Sequence, residues 1–294
     1  MLARIANGLF WLGRNVGRAE HTARMIDGVT LLQLQGRADE APGLVLDWRG
    51  AMAVMGAEPG PDPMDALHRL ALDPTESASI LACLTRAREG AKTVRDVLST
   101  DMWEALNATT LAMPRDDPWR VPGYVRERCA LFWGLTGRTM LRDEAHAFLR
   151  AGLHLEAADM LLRMLRVALR SVRGESGQAV ALLHAVGAGQ AFRRAVPQPP
   201  TTVPVTRFLL FEAAYPDSVC ASVEALLRSL QEADADPRRS APVLRLQRLA
   251  ADLEFRRRAV DDEDLALRCE AVQAELARVD ADIVERYFAG AAAA

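Results

Sequence analysis

The feature that most constrains this chain is a helical phrase written twice. Residues 10–27 read FWLGRNVGRAEHTARMID and residues 149–166 read LRAGLHLEAADMLLRMLR. Gly13 falls on Gly152, Ala19 on Ala158, Glu20 on Asp159, Arg24 on Arg163 and Met25 on Met164, all at an offset of 139 (152 − 13). A second stretch keeps the same spacing, with Ser79-Ile80 falling on Ser218-Val219. Two separate matches at one offset read as an internal duplication. A duplication sets the architecture before any chemistry is considered, and it marks the helices whose two copies can face each other.

The periodicity inside the repeat is helical. Leu2, Ile5, Leu9, Leu12, Val16, Ala19, Ala23 and Ile26 recur at three- and four-residue steps, the apolar stripe of one long helix that stops near Gly36. Further helices are expected at about 43–56, before the breaker EPGPDP, and across 77–97. Ser99 or Thr100 is placed to cap the next helix, and Pro114, Pro118 and Pro122 punctuate a connection. Helical patterns resume at about 125–135, 139–173 and 179–195. Pro197, Pro199, Pro200 and Pro204 make 196–204 an expected extended crossing. A helix beginning at Asp217 or Ser218 and two charged helices over 243–258 and 262–288 complete the pattern. No stretch alternates long enough for a sheet strand, so the reading is an all-α bundle of about ten to twelve helices. It forms one unit over 1–294, with repeats at about 1–138 and 139–235 and an added C-terminal pair over 238–288.

Composition narrows the function classes. The net charge of −3 and an aromatic content of 5% argue against nucleic acid as a partner. Cys83, Cys129, Cys220 and Cys269 form no CxxC pair and fit reduced, buried thiols in the cytoplasm. No run of about 18 apolar residues suggests a membrane span. Arg4, Arg14 and Arg18 interrupt the apolar opening, which reads as a helix of the fold and not as a signal peptide.

Four segments carry a resemblance. The opening MLARIANGLFWLGRNVGRAEHTARMID resembles the start of the alpha-E domain family, a bacterial helical group with a Glu-Arg motif. ILACLTRAREGAKTVRDVLSTDMWEALN (80–107) is similar to its arginine-rich central helix and the Met-Trp-Glu segment that follows. MLRDEAHAFLRAGLHLEAADMLLRML (140–165) and VTRFLLFEAAYPDSV (205–219) resemble its second signature and its late segment, so the likeness runs through the whole chain. Family members tend to be encoded beside, or fused to, ATP-grasp amide or peptide ligases, and near transglutaminase-like proteases. The resemblance thus implies a helper to a ligase that makes or modifies peptides. The chain departs from the motif, with Gly17-Arg18 in the first copy and Glu156-Ala157 in the second. One copy keeps the arginine and the other the carboxylate, which points to a single Arg18–Glu156 pair across the two related helices.

Two groups of side chains stand out as candidates. Arg14 and Arg18 lie one turn apart on the first helix, as do Glu20 and Arg24, and the second copy offers Glu156, Asp159 and Arg163. Together they describe either a polar cleft that grips a carboxylate or phosphate, or ordinary helix-surface ion pairs. Arg142, Asp143 and Glu144, with His146, form the densest titratable cluster. Only Asp143 and His146 share a helix face there, which favours a helix-start role over a metal site. Trp103 reads as a packed aromatic anchor, and the strip Arg86, Arg88, Lys92 and Arg95 as either a solvated face or a dock for an acidic partner. No P-loop, GxGxxG, GxSxG or HExxH motif is present, and neither a cofactor nor a metal is called for. The expected function is an accessory subunit. The alternative is an enzyme that handles a peptide or amino-acid-like substrate in the cleft between the repeats.

Overall fold

A computed structural model describes residues 1–34, 46–170, 176–258 and 264–289. Among these residues there are thirteen α-helices and no strand, one helix more than the upper expectation. The helices are α1 (Ala3–Leu34), α2 (Trp48–Met55), α3 (Pro63–Leu72), α4 (Ile80–Thr93), α5 (Thr100–Leu111), α6 (Val121–Thr139) and α7 (Glu144–Arg170). They continue with α8 (Ser176–Ala185), α9 (Gly189–Ala195), α10 (Thr202–Phe211), α11 (Val219–Ala233), α12 (Ala241–Arg258) and α13 (Leu265–Tyr287).

The surplus has local causes. The expected helix at 179–195 is divided into α8 and α9 by Gly187, whose φ of 70° belongs to the left-handed region open to glycine. The proline-rich crossing is shorter than expected, because α10 starts at Thr202 and takes Pro204 into its first turn, where no backbone N–H is needed. α3 starts on the last proline of the EPGPDP breaker, capped by the Asp62 side chain, which accepts from the Asp65 N–H at 2.8 Å. The expected stop at Gly36 lies outside the described residues.

Caps set the register of the inner helices. Ser79 Oγ accepts from Ala82 N–H at 3.1 Å to open α4, and Ser218 Oγ accepts from Ala221 N–H at 3.1 Å to open α11. These two serines are the matched pair of the sequence. α3 and α10 also start 139 residues apart (202 − 63), and both are ten residues long. α1 packs on α4 and α6, and α7 packs on α11 and α13. α5 touches α4 and α6 as α12 touches α11 and α13. The C-terminal pair thus packs on α11 and α7 as α5 and α6 pack on α4 and α1.

α1 and α7 cross at the centre, and both are flanked by apolar side chains that belong to one continuous core running from Ala6 to Phe288. The crossing is close because glycine stands at it twice. A Cβ on Gly13 would lie 2.1 Å from the Leu149 carbonyl oxygen, and one on Gly152 would lie 2.0 Å from that of Phe10. Phe10 and Leu149 are themselves 139 apart, so the two contacts are exchanged by the same offset. No helix among the described residues is long and apolar enough to cross a membrane.

Candidate functional site: a buried arginine–glutamate cluster

The close crossing brings the two signature helices near enough for short ion pairs. Glu156, on α7, is fully buried and accepts from Arg18 Nε at 2.5 Å through Oε1. Its Oε2 accepts from Arg18 Nη2 at 3.0 Å and from Arg14 Nε at 2.9 Å. The pair expected from the split motif is present, and Arg14 joins it. Gly17 makes room, since a Cβ there would sit 3.7 Å from Glu156 Cβ and 3.2 Å from Leu153 Cδ1.

Arg14 reaches further than its own pair of helices. Its Nη1 donates to Asp280 Oδ2 of α13 at 2.8 Å, and its guanidinium lies 4.8 Å from the centre of the Trp11 ring. Burial alone would raise the Glu156 pKa, but Arg18 and Arg14 outweigh it and hold the carboxyl below its ordinary range. Burial likewise works against the charge on Arg18 and Arg14, and the facing carboxylates reverse it, so both pKa values are raised. The result is a buried carboxylate with two guanidinium partners, each favouring the charged form of the other.

The remaining candidates of this group form two satellites with matching chemistry. Glu20 accepts from Arg24 Nη2 at 2.7 Å and from the Trp133 indole N–H of α6 at 2.9 Å. Asp159 accepts from Arg163 Nε at 2.8 Å and from the Gln273 amide of α13 at 2.8 Å. Each acid of the repeat is thus held by an arginine one turn on and by a donor from the helix packed outside. Trp133, Gln273 and Asp280 lie more than 100 residues from their partners, and no local pattern in the sequence marks them.

The basic strip is a partly exposed face whose side chains are held by neighbours. Arg86 donates to Asn15 Oδ1 at 3.1 Å and to Ser77 O at 2.5 Å, and Arg88 to Asn107 Oδ1 at 2.7 Å. Lys92 pairs with Glu89 at 2.6 Å, and the Arg95 guanidinium lies 5.3 Å from the centre of the Trp103 ring. Trp103 packs half-buried against the core. All four cysteines are free and buried, and burial pushes the Cys83 and Cys220 thiols up to about 11 and Cys269 to about 12. Among the described residues no group of three or more His, Cys, Asp or Glu side chains is arranged to hold a metal ion.

Arg142, Asp143 and Glu144 lie apart from this cluster, around a hollow of about 620 Å³ beside the start of α7. Asp143 caps that helix, its Oδ1 accepting from the N–H groups of Ala145 at 2.9 Å and His146 at 3.2 Å. Glu144 accepts from the Met1 ammonium at 2.8 Å. Arg150 lines the same hollow, yet nothing in the sequence singles it out.

The buried cluster joins a glutamate of α7 to two arginines of α1, inside a chain that is helical throughout its described residues. A family described as a predicted alpha-helical domain with a conserved ER motif matches residues 1–288. The chain belongs to the Alpha-E family. In this Alpha-E chain Glu156 of α7 and Arg18 of α1 meet across the helix crossing. Alpha-E relatives at 25% identity over 316 residues include an uncharacterized protein of Mycobacterium bovis and two of Mycobacterium tuberculosis. The matches cover 95% of this chain and 35% of each relative, so the chain spans about a third of their length. No solved structure matches it.

Proposed function

We propose that this Alpha-E protein is a non-catalytic accessory subunit of a cytoplasmic ATP-grasp-type amide or peptide ligase, acting by protein–protein contact in peptide synthesis or modification. A transglutaminase-like protease is proposed as a second partner. The observation that carries the reading is that the charged cluster is closed on itself. Both oxygens of Glu156 are taken by Arg18 and Arg14, and Arg14 is taken again by Asp280. A general acid or base needs a proton it can exchange near neutral pH, and a carboxylate held below its ordinary range by two guanidiniums has none. The buried thiols, pushed upward, are poor nucleophiles for the same reason of environment. The cluster therefore fits a clasp that fixes α1 against α7 and presents a rigid helical body. The longer relatives support the reading, since there the same unit is joined to further chain.

The second reading, an enzyme acting on a peptide or amino-acid-like substrate, is favoured by a different place: the hollow beside α7, with its arginines and His146. Affinity purification of the tagged protein from its own host, followed by mass spectrometry and an ATP-turnover assay on the eluate, separates the two. The accessory reading expects a near-stoichiometric ATP-grasp protein whose ATP turnover falls when the chain is removed. Recovery of the folded chain alone contradicts it.

A further inference from the structure

The hollow of about 620 Å³ beside α7 has the size of a small-molecule site. Its lining is charged, and the charges are unequally used. Asp143 is committed to capping α7 and Glu144 to the Met1 ammonium. Arg150 is half-buried and makes no hydrogen bond or ion pair with any described residue. That sets it apart from Arg14, Arg18, Arg24 and Arg163, each of which has a carboxylate within 2.9 Å. Where the pKa values of those first three are raised by facing acids, that of Arg150 is lowered by burial, with only Asp217 acting against it. Arg142 and Glu232 also line the hollow, both exposed and without a partner among the described residues. A guanidinium partly withdrawn from water with no carboxylate in hydrogen-bond reach is unfavourable, and an incoming oxyanion relieves it through a two-pronged hydrogen bond.

We propose that this hollow binds a small zwitterion, a free amino acid or a short peptide, with its carboxylate on Arg150 and Arg142 and its ammonium facing Glu232. The presence of one uncommitted acid beside two uncommitted arginines is what selects a zwitterion over a plain anion. His146, partly buried in the same lining, has its pKa pushed down by burial and by Arg150 and Arg142. It contributes a neutral imidazole and no competing charge. The site does not rest on the ligase partnership proposed above, since it is built entirely from side chains of this chain.

The test is calorimetric titration of the full chain with alanyl-alanine, alongside N-acetylalanine, alaninamide and inorganic phosphate. The expected result is saturable binding of the dipeptide, weakened about tenfold or more by Arg150→Ala. Glu232→Gln is expected to weaken the dipeptide but to leave N-acetylalanine, which lacks the ammonium, unchanged. Arg142→Ala and Glu232→Gln lie at exposed positions and carry the test if Arg150→Ala fails to fold. Absence of saturable dipeptide binding, or binding indifferent to these substitutions, overturns the proposal. Phosphate binding tighter than the dipeptide and indifferent to Glu232→Gln overturns the zwitterion assignment.

Discussion

Gly13 and Gly152 occupy equivalent places on α1 and α7, and each lies against the carbonyl of the other helix, Gly13 at Leu149 and Gly152 at Phe10. The helices meet backbone to backbone there, and the meeting point sets how deeply Arg14 and Arg18 are buried over Glu156. Stability and charge burial are therefore linked through two missing side chains.

Gly13→Ala and Gly152→Ala are each expected to destabilise the fold by at least about 2 kcal/mol, because the new methyl meets a carbonyl that cannot swing aside. Gly90→Ala, where a Cβ on α4 meets nothing within 4 Å, is expected to stabilise by up to about 1 kcal/mol through helix propensity. Urea unfolding of the three variants checks both signs. Near-neutral values for Gly13→Ala and Gly152→Ala would mean that the helices cross more loosely.

Asp234 ties the end of α11 to α13. It accepts from Arg286 Nε at 2.7 Å and Nη2 at 2.9 Å, and from the Tyr287 hydroxyl at 2.6 Å. Asp234→Asn keeps the shape but loses the charge-assisted bonds, and is expected to cost about 1.5–3 kcal/mol. Thermal unfolding checks this, and an unchanged midpoint would show the clamp to be surface decoration.

Stability is expected to fall with acid in two stages. His154 is pushed down to about 3 by burial and by Arg150, so its contribution is present above the unfolded histidine value, about 6.5, and is lost as pH drops. Glu156 and Asp234 are also depressed. Their contributions hold above the unfolded carboxylate values, about 4, and are lost below them. Urea midpoints from pH 8 to pH 3 are expected to decline first near 6 and again near 4. In His154→Gln the first decline should shrink to the smaller part that His146, also pushed down, contributes; an undiminished decline would assign it to another group.

The four cysteines are expected to react with a thiol reagent far more slowly in the native protein than in urea, since each is buried and none has a lowered pKa. Fast labelling of any one of them in native buffer would reveal an opening of the helix it sits on.

The sequence carried more of the fold than of the site. The offset of 139 matched α1 with α7 and α4 with α11 as counterparts, because a repeated cap such as Ser79 and Ser218 is a local signal. α3 and α10 were obscured by prolines that turned out to stand in first turns, where a helix tolerates them. The Arg18–Glu156 pair was legible as two complementary halves of one motif. Arg14 stood among the candidates on the same helix, but its further partner Asp280 did not, since Asp280 arrives from 266 residues away by packing alone. Arg150 was missed for the opposite reason: what distinguishes it is the lack of a partner, which only the folded chain displays.

The clasp itself is tested most directly by a double-mutant cycle on Arg18 and Glu156, read by urea unfolding. Arg18→Ala leaves buried Glu156 with Arg14 alone and Glu156→Ala leaves Arg18 without its carboxylate, so each single substitution is expected to be destabilising, up to about 3–5 kcal/mol. The double variant should cost clearly less than the sum, with a coupling of about 1–3 kcal/mol. Strict additivity would contradict a structural clasp and return Arg18 and Glu156 to the list of groups free to act on a ligand.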